Sequence, residues 1–360
     1  MAAPFSWGRH RSEVPMRAAL DDGTGRYVVH DLPMPKMFPG AALIRVRRTG
    51  ICGSDLHLTD ARTGAQTLPT GHEVAGEIVE LPEGENRLKV GDRVALETIG
   101  AGLCCHDCFY CDDGQFKHCI NLEDDTGGGF AEYMTRRPTG LFPLDERIDW
   151  VDAALVEPMA VSVHAIRYCR VARDSTVAVI GSATIGLSCI AAARAAGVGK
   201  IIASARYPQQ REAALAMGAD EVVGSEPGEL EEACLAATGG LGADVALETV
   251  GGNQADTLEQ SIKCARKQGK VVHVGGIKTP QTIDLLDPLL REVDILQSNC
   301  YGVVDGRHDY EVAIDILASG EYPYRDIVTH TVSLEEIQQG FDTAFDKTSG
   351  VIKVHVQQHD

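Results

Sequence analysis

No apolar run in this 360-residue chain approaches the ~20 residues that a membrane-spanning helix needs, so none is expected. The amino-terminal MAAPFSWGRHRSEVP has no apolar h-region and does not read as a signal peptide. Positive charge is also short: 33 Lys+Arg stand against 52 Asp+Glu, a formal net charge of −19. Nucleic acid and anionic membranes are therefore not expected partners. Internal repeats and low-complexity segments are missing too. The 11 cysteines, with no secretion signal, suggest a reducing compartment, the cytoplasm, where thiols serve metal or core rather than disulfides.

What remains is an ordinary globular composition, 44% hydrophobic and 24% charged, in a chain long enough for two domains. Residues 1–15 read as an extension. From Met16, short β-type runs broken by Gly and Pro (ALIRVRRTG, EVAGEIVEL, GDRVAL) predict a mostly antiparallel, barrel-like domain. From about 170 the texture changes. STVAVIG, KIIASA, ADVALETVG and KVVHVGG read as strands, alternating with the helical IGLSCIAAARAAG, QQREAALAMGA and DTLEQSIKCARKQG. That alternation predicts an α/β, doubly wound parallel sheet. The closing VIKVHV needs a sheet to pair with. The expected division is 16–158 with 297–360 for the first domain and 159–296 for the second.

Four cysteines in the pattern C-x2-C-x2-C-x7-C, Cys105, Cys108, Cys111 and Cys119, have the spacing of a closed tetrahedral zinc site. Cys104, His106 and His118 are near enough to be rival ligands, but only the register starting at Cys105 gives two successive CxxC steps. Such a site holds a loop in the region of about 100–120 and leaves no position for a substrate.

Gly181-Ser182-Ala183-Thr184-Ile185-Gly186 lies between a predicted strand and a helix, where a dinucleotide fingerprint belongs. Gly181 serves the tight turn and Gly186 the helix–strand packing, while Ala183 replaces the middle glycine. About 20 residues on, NAD-specific folds carry an acid that binds the adenosine ribose. Here the strand ends Ala203-Ser204-Ala205-Arg206-Tyr207 without one. Ser204 can donate to a 2′-phosphate and Arg206 can pair with it, with Arg211 as a further cation, so NADP(H) is expected over NAD(H).

A second metal candidate lies in GICGSDLH (50–57) and GHEVAG (71–76). A catalytic zinc takes three protein ligands and keeps one open position. Cys52 and His72 supply two; Glu73 and Glu157 compete for the third. With GDRV (91–94), the cysteine lobe, GGFAEY (128–133), Glu157-Pro158 and the 177–276 nucleotide region, these motifs cover nearly the whole chain in order. The chain resembles the zinc-dependent medium-chain dehydrogenase/reductase family of alcohol, polyol, sugar and threonine dehydrogenases.

The resemblance implies a GroES-like catalytic domain around a Rossmann domain, with the active site in the cleft between them. It makes Cys52 and His72 ligands of a catalytic zinc, Asp55 the partner that orients the histidine, and Ser54 and His57 a proton relay. Val250, Val274 and Gly275 match segments lining the nicotinamide. A glutamate at 157 looks like the polyol, sugar and threonine branch. Thr59, Ala101 and 299–302 are expected near the substrate. The implied activity is hydride transfer between a secondary alcohol and a nicotinamide, with two Zn2+ per subunit, in a homodimer or homotetramer. Two alternatives remain: a zinc-free alkene or quinone reductase of the same superfamily, and a non-catalytic nucleotide-binding regulator.

Overall fold

The computed structural model describes residues 15–56 and 64–359. Backbone contacts divide the chain into two compact units. One comprises the chain up to Cys111 with His118–Ala154 and His330 onward; the other comprises Asp112–Lys117 and Leu155–Thr329. Among the described residues no helix is long and apolar enough to cross a membrane.

In the first unit, β1 (Pro15–Asp21) and β2 (Tyr27–Pro33) form an antiparallel pair. A seven-stranded sheet follows, from β3 (Ala42–Ile51), β4 (Glu73–Glu80), β5 (Arg93–Glu97), β6 (Tyr133–Arg136) and β7 (Leu141–Pro143). The late strands β16 (Val328–Ser333) and β17 (Lys353–Gln357) complete it, in the order β16-β17-β3-β4-β5-β7 with β6 also on β3. VIKVHV thus finds its partner: β17 lies antiparallel to β3.

Apolar side chains from successive strands, including Ile44, Val46, Val74, Ile78, Leu96, Met134 and Leu141, form one core cluster. Burying each such side chain contributes roughly 1.5–3 kcal/mol. A second cluster contains Phe130, with Tyr27 stacked on Phe341 at a centroid distance of 4.0 Å. One rung of the sheet is polar and buried instead: His355 faces Gly50, Gly50 faces Glu73, and Glu73 faces Glu97.

The second unit holds six parallel strands: β8 (Thr176–Ile180), β9 (Lys200–Ser204), β10 (Glu221–Val223), β11 (Ala243–Glu248), β12 (Ala265–His273) and β13 (Asp294–Gln297). Their order, β10-β9-β8-β11-β12-β13, reverses between β8 and β11. That reversal is the switch point of a doubly wound sheet, where ligands settle beyond the strands' carboxyl ends. The expected fold class is present.

Helices Thr184–Ala195, Pro208–Ala216, Glu229–Ala237 and Asp256–Cys264 connect the strands. The last was expected to reach 269 but stops at Cys264. Ala265 already pairs with Ala243, and Gln268 takes a left-handed φ of 56°, which ends any helix there. The hairpin of β14 (Val303–Val304) and β15 (Arg307–His308) leads into helix Asp309–Ser319, started by a His308/Glu311 capping box. Buried Asp309 lies 2.8 Å from His164 Nδ1 and accepts from Arg167 at 2.6 Å, tying that helix to Val156–Tyr168. Residues 297–329, grouped with the first domain on sequence alone, pack within the second unit for this reason.

Candidate active site and metal centres

Cys105, Cys108, Cys111 and Cys119 place their sulfurs within 4.8 Å of one another, and all four are free thiols. The Cys108–Cys111 and Cys105–Cys119 sulfur pairs are 3.5 Å apart. A tetrahedral site with ~2.3 Å Zn–S bonds has edges of about 3.8 Å, so the set fits zinc with little movement. A single helical turn, Phe109–Asp112, carries Cys111 inward. Backbone N–H groups of Cys105 and Asn121 donate to Cys119 Sγ, each at 3.3 Å.

Backbone hydrogen bonds from Ile120 and Cys111 lower the Cys108 thiol to about 6, whereas burial raises Cys111 and Cys119 to about 11. The rival Cys104 turns to His106, 3.2 Å from Nε2, and His106 Nε2 lies 2.8 Å from Thr139 Oγ1. Neither joins the four-sulfur group.

The second group is built by strand pairing. β3 ends just before Cys52, β4 begins just after His72, and Gly50 opposite Glu73 brings the two ends together. One ligand atom each from Cys52, His72 and Glu73 falls within a common 4.8 Å. Thiolate, imidazole and carboxylate make a donor set that suits zinc.

Asp55, 1% exposed, accepts from the Cys52 N–H at 2.9 Å through one oxygen. Its other oxygen lies 3.5 Å from His72 Nδ1. Burial alone would lower the His72 pKa, but the negative charge of Asp55 and Cys52 overrides it and holds the ring well above its usual value. The same field that binds a proton there favours a metal cation.

Ser54 is exposed on the short helical turn after β3, whereas His57 and Thr59 lie outside the described residues. Ala101 is 2% exposed, and its N–H donates to the Glu97 carboxylate at 2.7 Å. Glu157 is buried in the first turn of helix Val156–Tyr168 in the second unit. Sequence reasoning missed Lys353, whose ammonium contacts the Glu73 carboxylate. The signal was available: a lysine in the largely apolar VIKVHV strand is expensive to bury without a partner.

In the second unit the fingerprint forms the turn from β8 into helix Thr184–Ala195. Gly181 has φ +90°, and a Cβ on Gly186 would lie 1.9 Å from the Gly181 carbonyl oxygen, so both positions require glycine. Ala183 sits exposed at the helix N-cap in extended geometry that does not need one. Thr184 and Ile185 open the helix, whose first N–H groups form an anion-binding end.

Ser204 is 3% exposed and its hydroxyl accepts from Gly181 N–H at 3.1 Å, bracing the turn. Arg206 is exposed with its guanidinium 5.8 Å from the Tyr207 ring centre, and Arg211 is exposed in the next helix. Val250 is half exposed, while Val274 and Gly275 donate backbone N–H groups to the Glu248 carbonyl at 2.9 and 3.0 Å. The fully buried Glu248 carboxylate accepts from Val250 and Gly251, both at 2.9 Å, and so fixes the loop that carries Val250. This acid at the end of an apolar strand was a second cue left unread.

A doubly wound nucleotide-binding unit, joined to a β-rich unit with a closed thiol cage and an open Cys/His/Glu group, defines a metal-dependent dehydrogenase class. Comparison with known proteins agrees. Residues 38–146 match the alcohol dehydrogenase GroES-like domain and 184–319 match the zinc-binding dehydrogenase domain. Sorbitol dehydrogenase of Bacillus subtilis is 33% identical over 350 residues, covering 95% of this chain and 97% of that protein. L-idonate 5-dehydrogenase of Vitis vinifera is 30% identical over 326 residues, covering 86% of each. The crystal structure of a putative zinc-binding dehydrogenase from Sinorhizobium meliloti bound to NADP superposes with a TM-score of 0.82 at 28% identity, covering 96% of this chain and 99% of that one. The chain belongs to the zinc-type medium-chain alcohol dehydrogenase family and is an oxidoreductase.

Proposed function

We propose that this protein is a zinc-dependent polyol dehydrogenase that moves a hydride between a secondary alcohol and NADP(H). The observation that carries the reading is the convergence of Cys52, His72 and Glu73 beside the bracing carboxylate of Asp55. When bound, zinc would supply Lewis acidity to the substrate oxygen and the nicotinamide would carry the hydride. Cys52 and His72 hold the metal, with Glu73 or Glu157 as third ligand. Asp55, with Oδ1 3.5 Å from His72 Nδ1, would orient the imidazole and favour the tautomer that leaves Nε2 for the metal. The Ser54 hydroxyl takes the substrate's hydroxyl proton and passes it to His57.

Gly181, Ala183, Thr184, Ile185 and Gly186 would receive the pyrophosphate, and Val250, Val274 and Gly275 would flank the nicotinamide. Exposed Arg206, with exposed Arg211 as a further cation, would pair with the 2′-phosphate. The lack of a carboxylate after β9 and the NADP-bound Sinorhizobium relative support that preference. The named activities of the sorbitol and idonate relatives support a polyol or sugar-like substrate. Cys105, Cys108, Cys111 and Cys119 hold a second, structural zinc. The two units act as catalytic and nucleotide-binding domains of a cytoplasmic homodimer or homotetramer.

The test is a screen of polyols and the matching ketones with NADP+ and NADPH beside NAD+ and NADH. Turnover of a polyol with NADP+ favoured, and loss of that preference in Arg206→Ala, is expected; an unchanged preference in the variant refutes the cofactor assignment. Ser54→Ala is expected to lower kcat steeply with metal content intact.

A further inference from the structure

Glu248 of β11, His273 of β12 and Gln297 of β13 are the last residues of three neighbouring parallel strands, and they stand side by side in register. All three belong to the second unit. Ligands of a doubly wound sheet settle beyond such carboxyl ends. Two of the three also hold the loops that follow. Glu248 Oε1 accepts from Val250 N–H, Gly251 N–H and the Thr257 hydroxyl at 2.9, 2.9 and 2.8 Å. The Glu248 carbonyl takes the N–H groups of Val274 and Gly275, and the His273 carbonyl takes that of Ser298 at 3.0 Å.

The His273 ring lies between the other two side chains. Its Nδ1 is 2.7 Å from Gln297 Oε1, which can only accept, so Nδ1 carries the proton of that bond. Nε2 faces Glu248 Oε2 at 3.5 Å. Both of these atoms are buried, and neither has a hydrogen-bond partner. A buried carboxylate oxygen is costly to leave unmatched, so a small movement that brings Nε2 and Oε2 together is favourable. A Cβ on Gly275 would fall 2.6 Å from Oε2, so that glycine keeps the space open. Val271 and Val272 before the histidine are fully buried, and the chemistry proposed above makes no use of an imidazole here.

We infer that His273 is a positioning residue for the nicotinamide. Its ring ties Glu248 to Gln297 across the ends of three strands and holds the loops after β11 and β12 ready for the cofactor. Loops already in place spare the incoming ring the cost of ordering them. The inference rests on the reading that Val250, Val274 and Gly275 flank the nicotinamide of NADP(H).

The test compares two ligands on the full-length protein: NADPH, followed by its fluorescence, and adenosine 2′,5′-bisphosphate, which lacks the nicotinamide half, followed by calorimetry. His273→Leu should weaken NADPH binding by about tenfold and leave the bisphosphate affinity unchanged. His273→Gln, which keeps an N–H able to reach Glu248, should recover most of the loss. In a Glu248→Gln background the contact is already altered, so adding His273→Leu should cost less than about threefold. Equal loss of both ligands would reduce His273 to a fold-stabilising role and overturn the inference, as would unchanged NADPH affinity in folded His273→Leu. If that variant does not fold, Gln297→Leu decides the matter from an exposed position: NADPH binding alone should weaken, by about threefold, and no change overturns the inference. A starting protein that binds neither ligand would overturn the cofactor reading itself, and the inference with it.

Discussion

The four-cysteine lobe and the Cys52–His72–Glu73 group both gather metal-ligating side chains and arrive at different electrostatic designs. In the lobe, four soft sulfurs are backed by backbone N–H donors from residues close in sequence. The second group mixes donor types and is backed by buried charges, Asp55 on one side and Lys353 on the other. A closed set of identical ligands saturates a metal and stiffens a loop. A mixed set braced by buried charges can leave a position open and adjust how electrophilic the metal is. The motif that stands out most in the sequence is thus the one with no room for chemistry.

Cys108→Ser should give the largest change in stability. Opening the lobe is expected to cost on the order of 2–5 kcal/mol, comparable to losing a native cross-link, with activity falling only as the protein unfolds. Thermal melts run beside activity at low temperature check this; full stability with lost activity would erase the contrast between the two centres. Asp55→Asn should act in the opposite sense, weakening metal binding at the Cys52 site by about 10–100-fold while the melt barely moves. Chelator competition reads that effect, and an unchanged affinity would remove Asp55 from the account.

A smaller effect sharpens the electrostatic side. His355 is fully buried on the polar rung, and burial, with Lys353 and Arg48 nearby, holds its pKa well below the usual 6.5. Above pH 6.5 the ring is neutral whether folded or not, and it contributes nothing. Below that, the unfolded chain takes up a proton that the folded one refuses, so stability falls as pH drops. The loss approaches about 1.4 kcal/mol per pH unit, and His355→Leu should flatten it in melts between pH 7.5 and 5.5. A slope unchanged by the substitution would show that the rung is not the source.

Much of this was legible in the sequence. Alternating strands and helices announced the doubly wound sheet, the tight CxxC steps exposed the lobe, the GICGSDLH and GHEVAG motifs pointed to Cys52 and His72, and the family resemblance supplied the role of Asp55. Lys353 was not legible as a partner of the site. It reaches Ile51 across 302 positions, and that meeting depends on β17 settling against β3. Glu248 was hidden in the same way, since its role rests on a loop geometry that no spacing encodes. Ser204 has a second role that its type did not announce: its hydroxyl accepts from Gly181 N–H and braces the turn. The end of helix Asp256–Cys264 was misjudged because the pairing of Ala265 with Ala243 outweighs the helical pattern of the residues that follow.

The central claim is one closed zinc and one open, reactive zinc on the same chain. Metal analysis of the purified protein and of Cys52→Ser, with hydride transfer measured on both, tests it most directly. The account predicts two zincs in the first and one in the second, with activity lost and the melt retained. A single zinc in the starting protein, or an active Cys52→Ser variant that still holds two, would contradict it.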